Sequence, residues 1–404
     1  MDAPGLASPI APPHIAARRL LRAIGLSLAL CYLVVLLGTY LKGQFLTDAQ
    51  GLPIANDFVD VYAAGRLALH GVAASAYDWT THKAAEVRAL GHDFPDYYGW
   101  HYPPPFFFVA AALALLPYLA AMLAWLFATL CAYAATLRAI LGGRAGVFVA
   151  LGFPAAIWNI TAGQNGFLTA TLIGGTLAAL ERRPALAGVF LGLLTYKPQF
   201  GLLFPLVLIV ERRWLTIAVA AAVATAMIAV SWLAFGAASW QAFFHWLPIT
   251  SHRILGEGRA DFDRLQSFYG LVRACGGGET LAWAVQMTAG LAAAACIIWL
   301  WRSRAPFELK AAALAAGTLI ATPYVYMYDL VVLAVAVGFL LRFVIARGLG
   351  TAEAYGLAAG GALILVFPYV NTQTGLAAVL IVLALVMQRA RAELRLTPPR
   401  PQPA

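Results

Sequence analysis

The spacing of its apolar runs limits what this chain can become more than any other feature. Apolar stretches recur at about 23–41, 104–140, 146–160, 165–180, 184–196, 199–210, 214–236, 280–301, 309–322, 327–346, 355–370 and 376–388, with short polar connections between them. Hydrophobic residues make up 62% of the chain and charged residues 11%, against roughly half and about a quarter in a soluble domain. A water-facing globule cannot hide that much apolar surface, so lipid is the solvent for most of the chain. Strand-like alternation is absent and the runs are long, so the backbone pairs within helices and not around a barrel. The expectation is an all-α polytopic membrane protein of about twelve transmembrane helices. Several runs fall short of the roughly 17–25 residues of a full span; they extend into their connections or remain half-spans.

Charge gives the expected orientation. The net charge is +9, but no basic domain surrounds the Lys and Arg residues, which argues against nucleic acid as a partner. They sit in alternate connections: Arg138 and Arg144, Arg182 and Arg183, Arg212 and Arg213, Arg302 to Lys310, Arg342 and Arg347, Arg389 to Arg395. Basic connections stay cytoplasmic. With Arg18, Arg19 and Arg22 before the first run, an uncleaved first span and cytoplasmic termini follow. The connections between them hold Asp57, Asn159–Gln164–Asn165, Lys197, the 237–279 segment, Thr322–Pro323 and Asn371. The non-repetitive polar chemistry therefore falls on the outer face. The 104–140 run is long enough for two helices with a break at Leu116–Pro117. Two crossings would invert every later connection, so it counts as one crossing plus an interfacial or re-entrant piece at 104–116.

Four cysteines lack metal-ligand spacing, and no disulfide framework or metal site is expected. Asn159–Ile160–Thr161 matches a glycosylation sequon but lies too close to the membrane for easy use. Residues 1–17 and the Pro-rich 391–404 are expected to be a disordered cytoplasmic N-terminus and a cytoplasmic tail.

The segment Asn56–Gly65 concentrates two carboxylates, Asp57 and Asp60, in a charge-poor chain. Asn56 and Asp57 can cap a helix that runs through Leu69 and ends at Gly71. A second short helix is expected near 79–90, opened by Asp78. Phe94, Tyr97, Tyr98, Trp100 and Tyr102 crowd after it, which suits helices lying along the headgroup layer. The 237–279 connection, with His245, His252, Arg253, Arg259 and Arg264, is expected to be an outer lid.

Asp57–Phe58, Tyr62–Ala63–Ala64–Gly65, Leu69, Gly71 and Tyr77–Asp78 resemble the first-loop signature of glycosyltransferase family 87. Tyr102–Pro103–Pro104, Gly163–Gln164–Asn165, Lys197–Pro198–Gln199, Gln266–Ser267–Phe268–Tyr269–Gly270 and Thr322–Pro323 with Tyr328–Asp329 follow in the family's order. The resemblance covers about residues 18–390. It implies a GT-C-like bundle with short juxtamembrane helices in the first outer loop, 42–102. It also implies inverting transfer of a sugar, usually mannose, from a polyprenyl phosphate to a glycan or glycolipid acceptor on the extracytoplasmic face of the plasma membrane. The family's essential first-loop Asp falls on Asp57. Some members carry His near Thr322–Pro323, where this chain has Tyr326, Tyr328 and Asp329.

That chemistry needs one base for the acceptor hydroxyl, because a lipid phosphate leaves without protonation. It also needs groups that hold the departing phosphate. Asp57 is the candidate base, with helix capping as its alternative use. Lys197, Arg264, Gln164, Asn165 and Gln266 are candidates for the donor phosphate or sugar; the alternatives are headgroup contacts for the cations and simple turns for the amides. Asp60, Tyr62, Tyr102, His252 and Asp329 are candidates for the acceptor or a secondary site. Membrane lipid is the remaining partner; no cofactor is expected beyond the lipid-linked co-substrate. A transporter or flippase is the other class to weigh, but inverted repeats and midplane polar groups are not evident. A purely structural membrane subunit would not need so many polar outer turns.

Overall fold

The computed structural model describes residues 13–259 and 261–396. The expected disordered ends are therefore outside the described residues at 1–12 and 397–404. Their inner parts are helical instead: α1 begins at Pro13 and the last helix runs to Leu396. Both are anchored, by Arg18 donating to the carbonyl of Gly142 (2.9 Å) and by Glu393 pairing with Arg347 (3.0 Å).

The chain is built from helices α1 (Pro13–Leu41), α2 (Phe58–Leu69), α3 (Trp79–Leu90), α4 (Phe107–Leu113), α5 (Tyr118–Leu141), α6 (Gly143–Gly152), α7 (Ala155–Ala162), α8 (Gly166–Ala179) and α9 (Pro184–Leu193). There follow α10 (Phe204–Val210), α11 (Trp214–Ser251), α12 (Phe268–Ala274), α13 (Glu279–Arg302), α14 (Phe307–Ile320), α15 (Leu333–Arg347), α16 (Thr351–Val370) and α17 (Thr374–Leu396). Among the described residues the only extended pairings are isolated bridges at 45–53.

Among the described residues seven helices are long and apolar enough to cross a membrane, eight if the bent pair α6–α7 is one span. About twelve full spans were expected. The difference lies in α8, α9, α10 and α14, which are 14 residues or shorter, against ~20 for a full crossing. Pro184, Pro198 and Pro205 interrupt this region, and proline removes a helical hydrogen bond. The short helices α8 and α14 survive because other helices, not lipid, surround them, and both are buried almost throughout; α9 and α10 are buried on one side only. The long helices α1, α11, α13 and α16 are mostly exposed and present Leu, Val and Trp outward, as lipid-facing helices do. At the centre the segment Met327–Arg347 is 78% buried. Ala311, Ala312, Ala313, Ala315 and Ala316 of α14 and Ala334 and Ala336 of α15 are fully buried, and small side chains of this kind let helix backbones approach closely.

The connections separate into two ends. At one, Arg342 donates to the Ile140 carbonyl (3.4 Å) and pairs with Glu308 (3.4 Å), Lys310 pairs with Glu211 (3.1 Å), and Arg389 donates to the Gly348 carbonyl (3.1 Å). These are the basic connections. At the other end residues 56–58, 102, 163–166, 197, 262–266, 325–329 and 373–375 are hydrogen-bonded or paired to one another. The alternation expected from charge is thus a property of the fold.

The first long connection folds onto that polar end. The helix expected through Leu69 is α2, and the one expected near 79–90 is α3, capped by Asp78 accepting from the Thr81 amide (2.8 Å). The 104–116 piece is α4 with its flanks; it packs on α2, and Tyr62 donates to the Leu116 carbonyl (2.9 Å). It does not cross. The α2 helix does not lie open along a headgroup layer: nine of its twelve residues are buried, so it forms part of the core of this end. The expected 237–279 lid is also more regular than a loop. Helix α11 continues to Ser251 after a kink at Gly236 (φ +77°), α12 covers Phe268–Ala274, and among the described residues only 252–259, 261–267 and 275–278 are irregular or in single turns.

Gly65 fixes the closest approach in this layer. A Cβ there would overlap the carbonyl of Ala110 and stand 2.8 Å from the Ala114 methyl. Gly65→Ala is expected to cost about 1–3 kcal/mol by overpacking, seen as a lower thermal unfolding midpoint in detergent. An unchanged midpoint would mean that α2 can lift off α4 without penalty.

Candidate active site

Asp57 occupies the N-cap position of α2, but its side chain does not cap. Asn56 does that work: its Oδ1 accepts from the Phe58 amide (3.0 Å). The Asp57 carboxylate is therefore free to face the bundle, where Oδ2 accepts from Gln164 Nε2 (2.9 Å). Gln164 has its amide oriented from behind. Its Oε1 accepts from the Asn165 backbone N–H (3.1 Å) and from the Tyr102 hydroxyl (3.3 Å), so only its NH2 can turn to Asp57. Asn165 Nδ2 in turn donates to the Tyr102 hydroxyl (2.6 Å). Gly163 makes this approach possible: it has φ +70°, and a Cβ there would stand 2.7 Å from the Phe58 Cβ.

Lys197 and Asp329 form the second part. Lys197 Nζ lies 2.8 Å from Asp329 Oδ1, and the two are 7% and 1% exposed. Asp329 Oδ2 also accepts from the Tyr326 amide (3.1 Å). The ammonium lies 5.5 Å from the Tyr328 ring and 5.6 Å from that of Phe200. Burial raises the Asp57 pKa to about 6, and the Asp329 charge adds to the rise. The Gln164 hydrogen bond, Lys197 and Arg264 oppose it. Gln164, Lys197, Arg264 and Asp329 thus act on the Asp57 carboxylate, although four distant stretches of chain supply them.

Other candidate residues fall elsewhere. Asn165 and Tyr102 join the network, and Arg264 stands at its exposed edge, paired with Asp261 (3.2 Å). Gln266 does not face the network. Its Oε1 accepts from the Gly375 amide (2.8 Å) and its Nε2 donates to the carbonyls of Asp263 (3.1 Å) and Arg264 (3.3 Å), so it ties the lid to α17. Tyr62 is spent on the Leu116 carbonyl. His252 is exposed beside Glu257 (4.0 Å), and His245 is exposed next to Trp246. Arg253 and Arg259 lie over the Trp79 ring at 4.4 and 5.5 Å.

Asp60 turns to α3 rather than to the network. His82 Nε2 lies 3.5 Å from Asp60 Oδ1 and 3.6 Å from Glu86 Oε1, and all three residues are buried. Burial pushes Asp60 well up, aided by Glu86 and Asp57, pushes Glu86 up to about 8, and pushes His82 down to about 3. Burial thus disfavours the charged form of all three groups. Sequence reasoning missed His82 and Glu86; their i, i+4 spacing on the expected second helix was the available signal. Among the described residues no group of three or more His, Cys, Asp or Glu is disposed to hold a metal ion.

A multi-pass helical membrane protein with a buried carboxylate opposite a lysine, all at one end of the bundle, has the layout of a membrane-embedded group-transfer enzyme. The chain belongs to glycosyltransferase family 87, whose family model matches residues 100–323. It is therefore a membrane glycosyltransferase. The matched stretch contains Tyr102, Gln164, Asn165, Lys197 and Arg264, and leaves Asp57 and Asp329 outside it. No curated protein and no solved structure gave a match.

Two outcomes follow. Breaking the buried pair with Lys197→Met or Asp329→Asn alone leaves a buried charge or dipole without its partner and is expected to cost about 3–5 kcal/mol. The double variant should recover most of that in a thermal unfolding assay; a double variant as unstable as the singles would show that the pair is not the cause. The second concerns pH. Unfolded Glu86 loses its proton near pH 4.3, whereas the folded protein holds it to about 8. Stability therefore falls as pH rises across that range. Above 6.5 His82 is neutral in both states, so the melting temperature should fall between pH 6.5 and 8 and fall less in Glu86→Gln. A wild-type midpoint that is flat in this window would contradict the assignment.

Proposed function

We propose that this glycosyltransferase moves mannose from a polyprenyl-phosphate donor to an acceptor hydroxyl, with inversion, and that Asp57 is the general base. The observation that carries this reading is the Asp57 carboxylate itself. It is oriented by Gln164, faces a lysine side chain of the bundle, and has a pKa near 6. A base must be ionised at working pH yet basic enough to take a proton, and a pKa in this range serves both.

The step balances simply. The acceptor oxygen forms a bond to the anomeric carbon as its proton passes to Asp57. The bond from the anomeric carbon to the phosphate oxygen breaks, and its electron pair leaves on polyprenyl phosphate. The leaving group gains one negative charge, which Lys197 and Arg264 are suited to hold. Asp329 uses one of the three donors of Lys197 and leaves two for the phosphate. Gln164, Asn165 and Tyr102 orient the base and border the sugar. The acceptor is a glycan or glycolipid, approaching beneath the 237–279 segment as a lid.

The basic connections at the opposite end support a plasma-membrane protein with both termini cytoplasmic and the site extracytoplasmic. The segment 18–390 is then the catalytic unit, with 42–102 as its catalytic outer loop. A donor dissolved in the membrane reaches such a site from the side, with no need for a nucleotide-binding fold.

With purified protein and radiolabelled polyprenyl-phosphate mannose, Asp57→Asn should lower transfer by about 10²-fold or more while the unfolding midpoint holds. The kcat/KM of the wild type should rise with pH through about 6 as Asp57 ionises. Equal transfer by wild type and Asp57→Asn would remove Asp57 as base. Transfer from a different lipid-linked sugar alone would replace mannose but keep the reaction class.

A further inference from the structure

The end of the bundle opposite the site carries a groove of about 410 Å³ between the α10–α11 turn and the α13–α14 turn. Glu211, Arg212, Trp301, Arg302, Ser303 and Lys310 line it. Three cations against one carboxylate leave the lining with a net charge of +2. The carboxylate is already neutralised. Lys310 Nζ lies 3.1 Å from Glu211 Oε1 and donates to the Trp301 carbonyl (2.8 Å), while Arg213 approaches Glu211 from the other side (3.7 Å). Trp301 is buried and donates its indole N–H to the Lys310 carbonyl (3.1 Å), which ties α13 to α14, while the Lys310–Glu211 pair braces the two turns against each other.

Arg212 and Arg302 remain. Both are exposed, and among the described residues neither guanidinium has a hydrogen-bond or ion-pair partner, Arg212 bonding only through its backbone N–H to the Ile209 carbonyl. Arg212 also holds a φ of +54°, which is unusual for a residue with a side chain. Two free guanidiniums in one groove offer a forked donor set that matches the oxygens of a phosphate. The groove's depth in the membrane follows from its neighbours. Trp214 opens α11 and is 59% exposed; Trp299 stands at the end of α13 and is 47% exposed. Exposed tryptophans at helix ends sit at headgroup level. Helix α10, of only seven residues, ends at this groove.

We infer that this groove is a binding site for a phosphate group, and that its occupant is the headgroup of an anionic phospholipid held by Arg212 and Arg302. The lipid headgroup would lie across the two turns that line the groove and tie them together. The site is remote from Asp57 and independent of which sugar is transferred.

The test uses the full chain in detergent, titrated with phosphatidylglycerol and followed by native mass spectrometry and by the unfolding midpoint. One retained phosphatidylglycerol and a raised midpoint are expected. Phosphatidylcholine should give neither. Arg212→Gln with Arg302→Gln should weaken retention by about tenfold or more; Arg302→Gln alone, at an exposed turn, should weaken it in part and serves if the double variant folds poorly. Arg182→Gln with Arg183→Gln removes the same charge from another basic connection and should leave retention unchanged. Equal weakening in that control would reduce the effect to bulk charge and overturn the site. Undiminished retention in the groove variants would do the same. Displacement of the lipid by inorganic phosphate in the tens of millimolar range would overturn the lipid as occupant and make free phosphate the ligand.

Discussion

A backbone surrounded by lipid must pair all its amides and carbonyls within itself, and the rest of this fold depends on that requirement. Turns, prolines and short half-helices are affordable only where protein encloses them. The chain meets this by sheathing an interrupted interior, α8, α14 and the turns of 321–332, with the long helices α1, α11, α13 and α16. Unwound backbone can then reach the polar end, where 163–165, 197 and 325–329 contribute side chains to one place.

Enclosure also sets the electrostatics. A carboxylate removed from water loses solvation faster than it loses neighbours, so Asp57 rises to about 6 despite Gln164, Lys197 and Arg264. The same physics disfavours the charged forms of Asp60, His82 and Glu86 between α2 and α3. Two carboxylates one helical turn apart thus differ in task. Asp57 has a donor amide and two cations within its field; Asp60 has a neutral imidazole and a second acid.

At the opposite end the same economy applies with the other sign. Arg18, Arg342, Lys310 and Arg389 satisfy carbonyls at helix C-termini or pair with acids. Arg212 and Arg302 are left to the solvent or the headgroups. The two ends are thus chemically distinct, one collecting the polar network around Asp57 and the other distributing basic side chains over the turns.

Much of this was legible in the chain itself. Long apolar runs report the lipid solvent, and alternate basic connections report which turns share an end, because insertion reads charge locally along the chain. The two loop helices were visible in Asn56, Asp78 and Gly71, since caps are local signals. The grouping of Asp57, Gln164, Asn165, Lys197 and Asp329 at one end was anticipated from alternation and from family resemblance. What the sequence could not fix was set by packing. It could not tell that α2 would be buried, that Asp60 would turn to His82, that Gln266 would be spent on the α17 amide, or that four runs would stop short of a full span. Each depends on which surface a helix meets, and a helix meets that surface only after distant segments have come together. Sequence alone therefore determined the solvent, the helices and the end at which chemistry collects, because these follow from local composition. Tertiary structure alone decided which carboxylate keeps a charge and which partner each side chain receives, because desolvation and hydrogen bonding are set by neighbours from elsewhere in the chain.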